Sequence, residues 1–200
     1  MYDGSITELV VSADCSAAGL VNTLARDFRC FRDEHYYKGR AKPVRFLKRA
    51  QIFVADLWAC FDGQSYGEFW DIDKITMFAD YRIPQILISL HALYCSPTVA
   101  AAIKDRQLLE SGSSWEMQLR GEHTLRTTLG ISNVFANVFI VQIACSIWCV
   151  ELIKREIKRN HPDAHVNAIL IDFFLYDKMK ELEEAGEEAI PHHRTRSIWY

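Results

Sequence analysis

The chain has 200 residues, half of them hydrophobic and 24% charged, with a formal net charge of -3. That length buries a sizeable single core, and the balance is globular rather than disordered. The mild acidity argues against a broad nucleic-acid footprint, and "MYDGSITELVV" lacks the basic and apolar regions of a signal peptide, so a cytoplasmic protein is expected. Six cysteines stand at 15, 30, 60, 95, 145 and 149 in apolar contexts. Cys145 and Cys149 lie one helical turn apart without the spacing of a zinc ligand set. All six read as reduced, mostly buried thiols, with no metal or cofactor implied.

In chain order, "DCSAAGLVNTLARDF" reads as a helix with Asp14 as N-cap, followed by a polar, turn-rich connection punctuated by Gly39 and Pro43. "VRFLKRAQIFVADLWACFDG" is a strong helix whose apolar stripe runs through Phe46, Ala50, Phe53, Val54, Leu57 and Phe61, with Gly63 and Gly67 ending it in a loop. In "DIDKITMFADYRIPQ", Asp71 can cap a short helix from Asp73 to Phe78, and Pro84 suits the first turn of the next helix, "PQILISLHALY". Ser96 and Pro97 open "SPTVAAAIKDRQLL", and Ser113 or Ser114 caps "SSWEMQLRG". "CSIWCVELIKREIKRN" is amphipathic and stops at "HPDA"; "VNAILIDFFLYDKMKELEE" fits a buried helix better than a strand. No region shows sustained strand alternation, so an all-α domain spanning residues 1–200 is expected. Glu122 to Ala144 breaks the rhythm: it lacks an amphipathic stripe, and Ser132, Asn133 and Asn137 interrupt it, so it is not a membrane span.

At "KRAQIFVADLW", "DIDKITMFADYRIPQ", "AILIDFFLYD" and "HRTRSIWY", the chain resembles the queuosine salvage protein family, whose members are queuosine 5'-phosphate N-glycosidases that release queuine for reinsertion into tRNA. The resemblance implies an all-helical fold similar to helix-hairpin-helix DNA glycosylases, with the N-terminal part of the family fold missing and residues 122–144 an insertion. It implies a small-molecule substrate, no cofactor, no metal, no direct contact with nucleic acid and no membrane. It also implies that Asp172 is the carboxylate facing the anomeric carbon. The sequence supports that role independently, because Asp172 stands between "AILI" and "FFL", where a carboxylate is desolvated unless paired or working on a ligand.

By the same resemblance Phe78 and Asp80 hold the base, the ring by stacking and the carboxylate by accepting from its guanine-like edge. Tyr176 and Asp177 would touch the ligand from the helix that carries Asp172, and Trp115 would line the base pocket. Asp71 and Asp73 read as caps. Lys48 and Arg49 are open to the substrate phosphate or to pairing with Asp56, and pairing is favoured. "HRTRSIWY" reads as a docking element anchored through Trp199. Two rival readings stand beside the glycosidase: a catalytically inactive truncated isoform acting as a binding or interaction protein, and a nucleic-acid binder, which the net charge disfavours.

Overall fold

The computed structural model describes residues 2–36, 41–120, 146–186 and 190–200. Among them the fold is helical: α1 Ile6–Val11, α2 Ala17–Asp27, α3 Lys48–Cys60, α4 Arg82–Ser89, α5 Pro97–Lys104, α6 Ser114–Arg120, α7 Ser146–Asn160 and α8 Ala168–Glu184. A two-stranded antiparallel ribbon, β1 Glu34–His35 with β2 Val44–Arg45, precedes α3. Val44 was expected inside the α3 helix. It belongs to the ribbon, and Leu47 turns through a left-handed conformation (φ 50°) to start α3 at Lys48. The stretch expected as an insertion, 122–144, lies outside the described residues.

Two caps differ from expectation, for one reason. Ser16 caps α2, its Oγ accepting from the Gly19 N–H at 3.0 Å, while Asp14 sits in the preceding turn at φ 50°. Asp71 caps α2 from afar: its Oδ1 accepts the Ala17 N–H at 2.6 Å and its Oδ2 the Ser16 hydroxyl at 3.0 Å. It caps no helix of its own. After one 3-10 turn, Ile72–Lys74, the expected helix from Asp73 to Phe78 is replaced by chain without helical structure. That segment takes its hydrogen bonds from side chains of neighbouring helices. The Thr76 N–H donates to Gln51 Oε1 at 2.8 Å, and the Phe78 N–H donates to Asp172. Buried backbone donors are thereby satisfied without a helix.

Two apolar clusters form the body of the fold. The first gathers Leu20, Val21 and Leu24 of α2, Ala50 and Val54 of α3, and Ile75, Phe78 and Ile169. The second joins Ile83, Ile86 and Leu87 of α4 with Val150 of α7 and Ala168, Ile171 and Leu175 of α8, together with Met77 and Ala79. Both α8 and the segment from Ile75 to Ala79 contribute to each cluster, so they run along the seam between them. Gly67 closes the α3 loop where no side chain fits, since a Cβ there would lie 2.5 Å from the Leu57 carbonyl oxygen. The thiols are less hidden than expected. Cys15, Cys30 and Cys60 are exposed in a turn, a 3-10 turn and a helix end; Cys149 is buried; Cys145 lies outside the described residues. Among the described residues no helix is long and apolar enough to cross a membrane.

Replacing Asp71 with alanine strands the buried Ala17 N–H and removes the acceptor for Ser16. The expected loss is about 1–3 kcal/mol in urea unfolding, with helical content otherwise preserved. An unchanged midpoint would show that α2 needs no cap from residue 71.

Candidate active site

Asp172 sits on the first turns of α8, on the seam, 5% exposed, and its Oδ2 accepts the Phe78 N–H at 2.8 Å. Burial pushes its carboxyl up to about 8; nearby Asp80 pushes the same way, while the Phe78 N–H and Lys48 oppose. Lys48, in the first turn of α3, is buried as well and lies 3.9 Å from Asp80 Oδ2. Burial holds its ammonium below the usual lysine value against the pull of Asp80. The pairing expected with Asp56 is absent from this arrangement: Asp56 is exposed, and Lys48 faces Asp80. The turn at Leu47 explains why, because it places the Lys48 N–H on Asp33 Oδ2 at 3.3 Å and turns the first residue of α3 inward. Asp80 divides its oxygens. Oδ1 accepts from the Arg82 and Ile83 N–H groups at the start of α4, at 2.9 and 3.1 Å, and Oδ2 is on the Lys48 side.

Behind this cluster lies a buried guanidinium that the sequence reading passed over. Arg120, at the end of α6, has no exposed surface. Its Nε donates to the Ala79 carbonyl at 2.9 Å, and its terminal nitrogens pair with both oxygens of Asp33 and with Glu116 Oε1 at 3.3 Å. The guanidinium also lies 4.1 Å from the Phe46 ring centroid. Glu116 accepts the Tyr200 hydroxyl at 2.7 Å, and His193 Nε2 is 3.3 Å from that hydroxyl. The Tyr200 ring stands 5.6 Å from Lys48 Nζ. Burial pushes the Tyr200 phenol above its ordinary range and His193 down to about 4, so the histidine is neutral near pH 7. The only sequence signal was an acid and a base four apart, Glu116 and Arg120, on a helix whose Met117 and Leu119 are apolar.

The remaining expected residues are distributed differently. Phe78 is 5% exposed; its N–H holds Asp172, and its ring packs against Phe173 at 6.1 Å between centroids. Tyr176 is 39% exposed, with the Arg82 guanidinium 5.7 Å from its ring; Arg82 also pairs with Glu183 at 2.8 Å. Asp177 is exposed, one position beyond Tyr176. Trp115 lines a shallow depression with Leu108, Leu109 and Ser113, and neither Asp172, Asp80 nor Phe78 borders it. The tail docks, but through different groups than expected. Gln85 donates to the Ile190 carbonyl, the Leu109 N–H to the Arg194 carbonyl, and Tyr200 and His193 enter the buried network, whereas Trp199 is half-buried. Arg49 stays on the surface, 3.5 Å from the Ile198 carbonyl. Asp172, Asp80, Lys48 and the Phe78 backbone are therefore together, while Trp115 and Asp177 stand apart from them.

A desolvated carboxylate beside a second acid and a lysine, at the seam of a helical fold, suits chemistry that develops positive charge. The chain belongs to the queuosine salvage protein family, whose sequence pattern it matches over residues 1–129 and 139–200. It is 41% identical over 207 residues to a queuosine 5'-phosphate N-glycosylase/hydrolase of Schizosaccharomyces pombe, a match covering all of this chain and 51% of the relative. It is 35% identical over 204 residues to the protein of that name from Mus musculus, covering 53% of the relative, and 34% identical over 200 residues to one from Sphaerobacter thermophilus, covering 52%. The chain thus spans about half the length of these curated relatives.

Two outcomes follow from the buried charges. In the unfolded chain Asp172 ionises near 3.8, whereas in the fold it holds its proton to about 8. Between those values the folded state binds the extra proton, so the Asp172 contribution is fully present below about pH 4 and is lost as pH rises toward 8. Asp172→Asn carries no such titration and keeps an acceptor for Phe78. Its stability relative to the parent should improve from pH 5 to pH 8.5, by at most about 1.4 kcal/mol per pH unit; a difference independent of pH contradicts the shift. Arg120→Met leaves Asp33 and Glu116 buried without their partner and should cost about 3–5 kcal/mol in chemical denaturation. A loss below ~1 kcal/mol would show that water replaces the guanidinium.

Proposed function

We propose that this chain carries the carboxylate site of a queuosine 5'-phosphate N-glycosidase, cleaving the bond between ribose and the 7-deazaguanine base to release queuine. The reading rests on one observation: Asp172, a buried carboxyl fixed by the Phe78 N–H and flanked by Asp80 and Lys48. The names of the relatives supply the substrate; the geometry supplies a reason why the site suits it.

Breaking an N-glycosidic bond places positive charge on the anomeric carbon and ring oxygen. Burial makes the Asp172 anion unfavourable in the empty site, so its interaction with a cation strengthens as the ribosyl charge develops. An interaction stronger in the transition state than in the ground state is the kind that accelerates the chemical step. Asp172 thus faces the anomeric carbon in this proposal. Asp80 presents to the base edge the oxygen not committed to α4, with Lys48 alongside to balance its charge. Phe78 sets Asp172 through its backbone and gives the base an aromatic neighbour. Tyr176, from the exposed side of α8, belongs to the outer margin of the ligand, whereas Trp115 and Asp177, which stand apart from the cluster, have no role in it. The finer likeness to helix-hairpin-helix DNA glycosylases is part of the same proposal.

Asp172→Asn should lower release of the base by at least roughly 10²-fold, with ligand affinity within a few-fold of the parent, because the amide keeps shape and loses charge. Product is followed by chromatography of free queuine and binding by calorimetry. Turnover within a few-fold of the parent removes Asp172 from the chemistry. Binding without release by the parent itself would favour the binding-protein alternative.

A further inference from the structure

On the outer side of Tyr200 the docked tail forms a cleft of about 540 Å³, bordered by Tyr81, His192, Arg194, Thr195, Arg196 and Ser197. No residue lining it is acidic. Arg194 and Arg196 are exposed and make no ion pair among the described residues. Hydroxyl donors stand between and beside them. The Thr195 hydroxyl is buried without a hydrogen-bond partner among the described residues, an expensive state for a donor unless a ligand or water meets it. The rings of Tyr81 and His192 lie 4.7 Å apart. Burial, together with Arg82, Arg194 and Arg106, holds His192 below its ordinary value, and Glu183 only partly offsets that field.

Two unpaired guanidiniums in one acid-free cleft, with serine and threonine hydroxyls alongside, form a donor set for a compact dianion. A phosphate monoester matches it: arginine forks pair with two of its oxygens, and hydroxyls donate to the third. Carboxylates are poorer in charge, and an extended polyanion would call for a basic surface wider than this cleft.

We propose that the cleft between Tyr81 and the segment from His192 to Ser197 binds the phosphate of a phosphate monoester, through Arg194, Arg196 and the Thr195 and Ser197 hydroxyls. The tail holds these groups in place by its backbone: the Arg194 carbonyl accepts the Leu109 N–H at 2.7 Å, leaving the guanidinium free to turn to a ligand. Two sources share this chemistry. One is the 5'-phosphate of the substrate, which rests on the glycosidase reading. The other is a separate small phosphate monoester.

The test is titration of purified protein with ribose 5-phosphate by calorimetry, for the parent, R194A/R196A and R159A, the last a surface arginine on α7. The parent and R159A should bind with equal affinity, and R194A/R196A at least about tenfold more weakly. Thermal unfolding unchanged in the double variant separates lost binding from lost folding, and R194K/R196K should recover part of the affinity. Equal affinity in parent and double variant, or no saturable binding by the parent, overturns the proposal. Steady-state kinetics with queuosine 5'-phosphate assign the source. A raised KM at retained kcat in the double variant identifies the substrate phosphate, and an unchanged KM with lost ribose 5-phosphate binding identifies a separate ligand. Absence of turnover by the parent removes the glycosidase reading while the calorimetry still decides the cleft.

Discussion

A guanidinium sealed from water is tolerated only when its donors are taken, and at Arg120 three acceptors take them while a fourth part of the chain joins at one remove. Asp33 arrives from the loop before the ribbon, Ala79 from the segment preceding α4, Glu116 from the same helix, and Tyr200 from the tail through its bond to Glu116. Each attachment fixes something beyond itself. Asp33 also receives the Lys48 N–H, so the first turn of α3 is set by the carboxylate that neutralises Arg120. Ala79 neighbours Asp80 on one side and Phe78 on the other, so the same guanidinium positions both residues that face Asp172. Tyr200 brings the tail over Lys48.

The chemistry of the site follows from that assembly being dry. Lys48 and Asp172 are both pressed toward their neutral forms by burial, in opposite directions on the pH scale. A site of this kind binds charge sparingly at rest and responds strongly to a charge that forms inside it. Exposed carboxylates such as Asp177 and Asp73 have no comparable leverage, because water screens them at every stage of a reaction.

Much of the fold was legible from local rules. The Ser96–Pro97 start of α5 and the Ser113 cap of α6 both follow from short-range donors and acceptors. Wherever a side chain served a distant partner, the local rule gave the wrong partner. Asp71 looked like the cap of its own helix because it precedes a helical pattern; it caps α2, more than fifty positions back. The segment from Ile75 to Ala79 has helix-compatible residues, yet Gln51 and Asp172 outbid the helical hydrogen bonds. Asp172 was readable because a lone acid within two apolar runs is a contradiction that demands an explanation. Asp33 and Arg120 were not, since each looks like an ordinary surface charge until the fold places one against the other. The tail shows the same limit: a tryptophan suggested the anchor, but the phenol that could reach a buried acceptor supplied it.

The central claim is that Asp172, Asp80 and Phe78 serve one ligand across the seam. The most direct measurement is a crystal structure of the Asp172→Asn protein with queuosine 5'-phosphate. The account predicts the residue-172 side chain within about 3.5 Å of the anomeric carbon, with the base edge on Asp80 and the base beside Phe78. A nucleotide bound elsewhere, or one whose ribose lies beyond reach of residue 172, would contradict it.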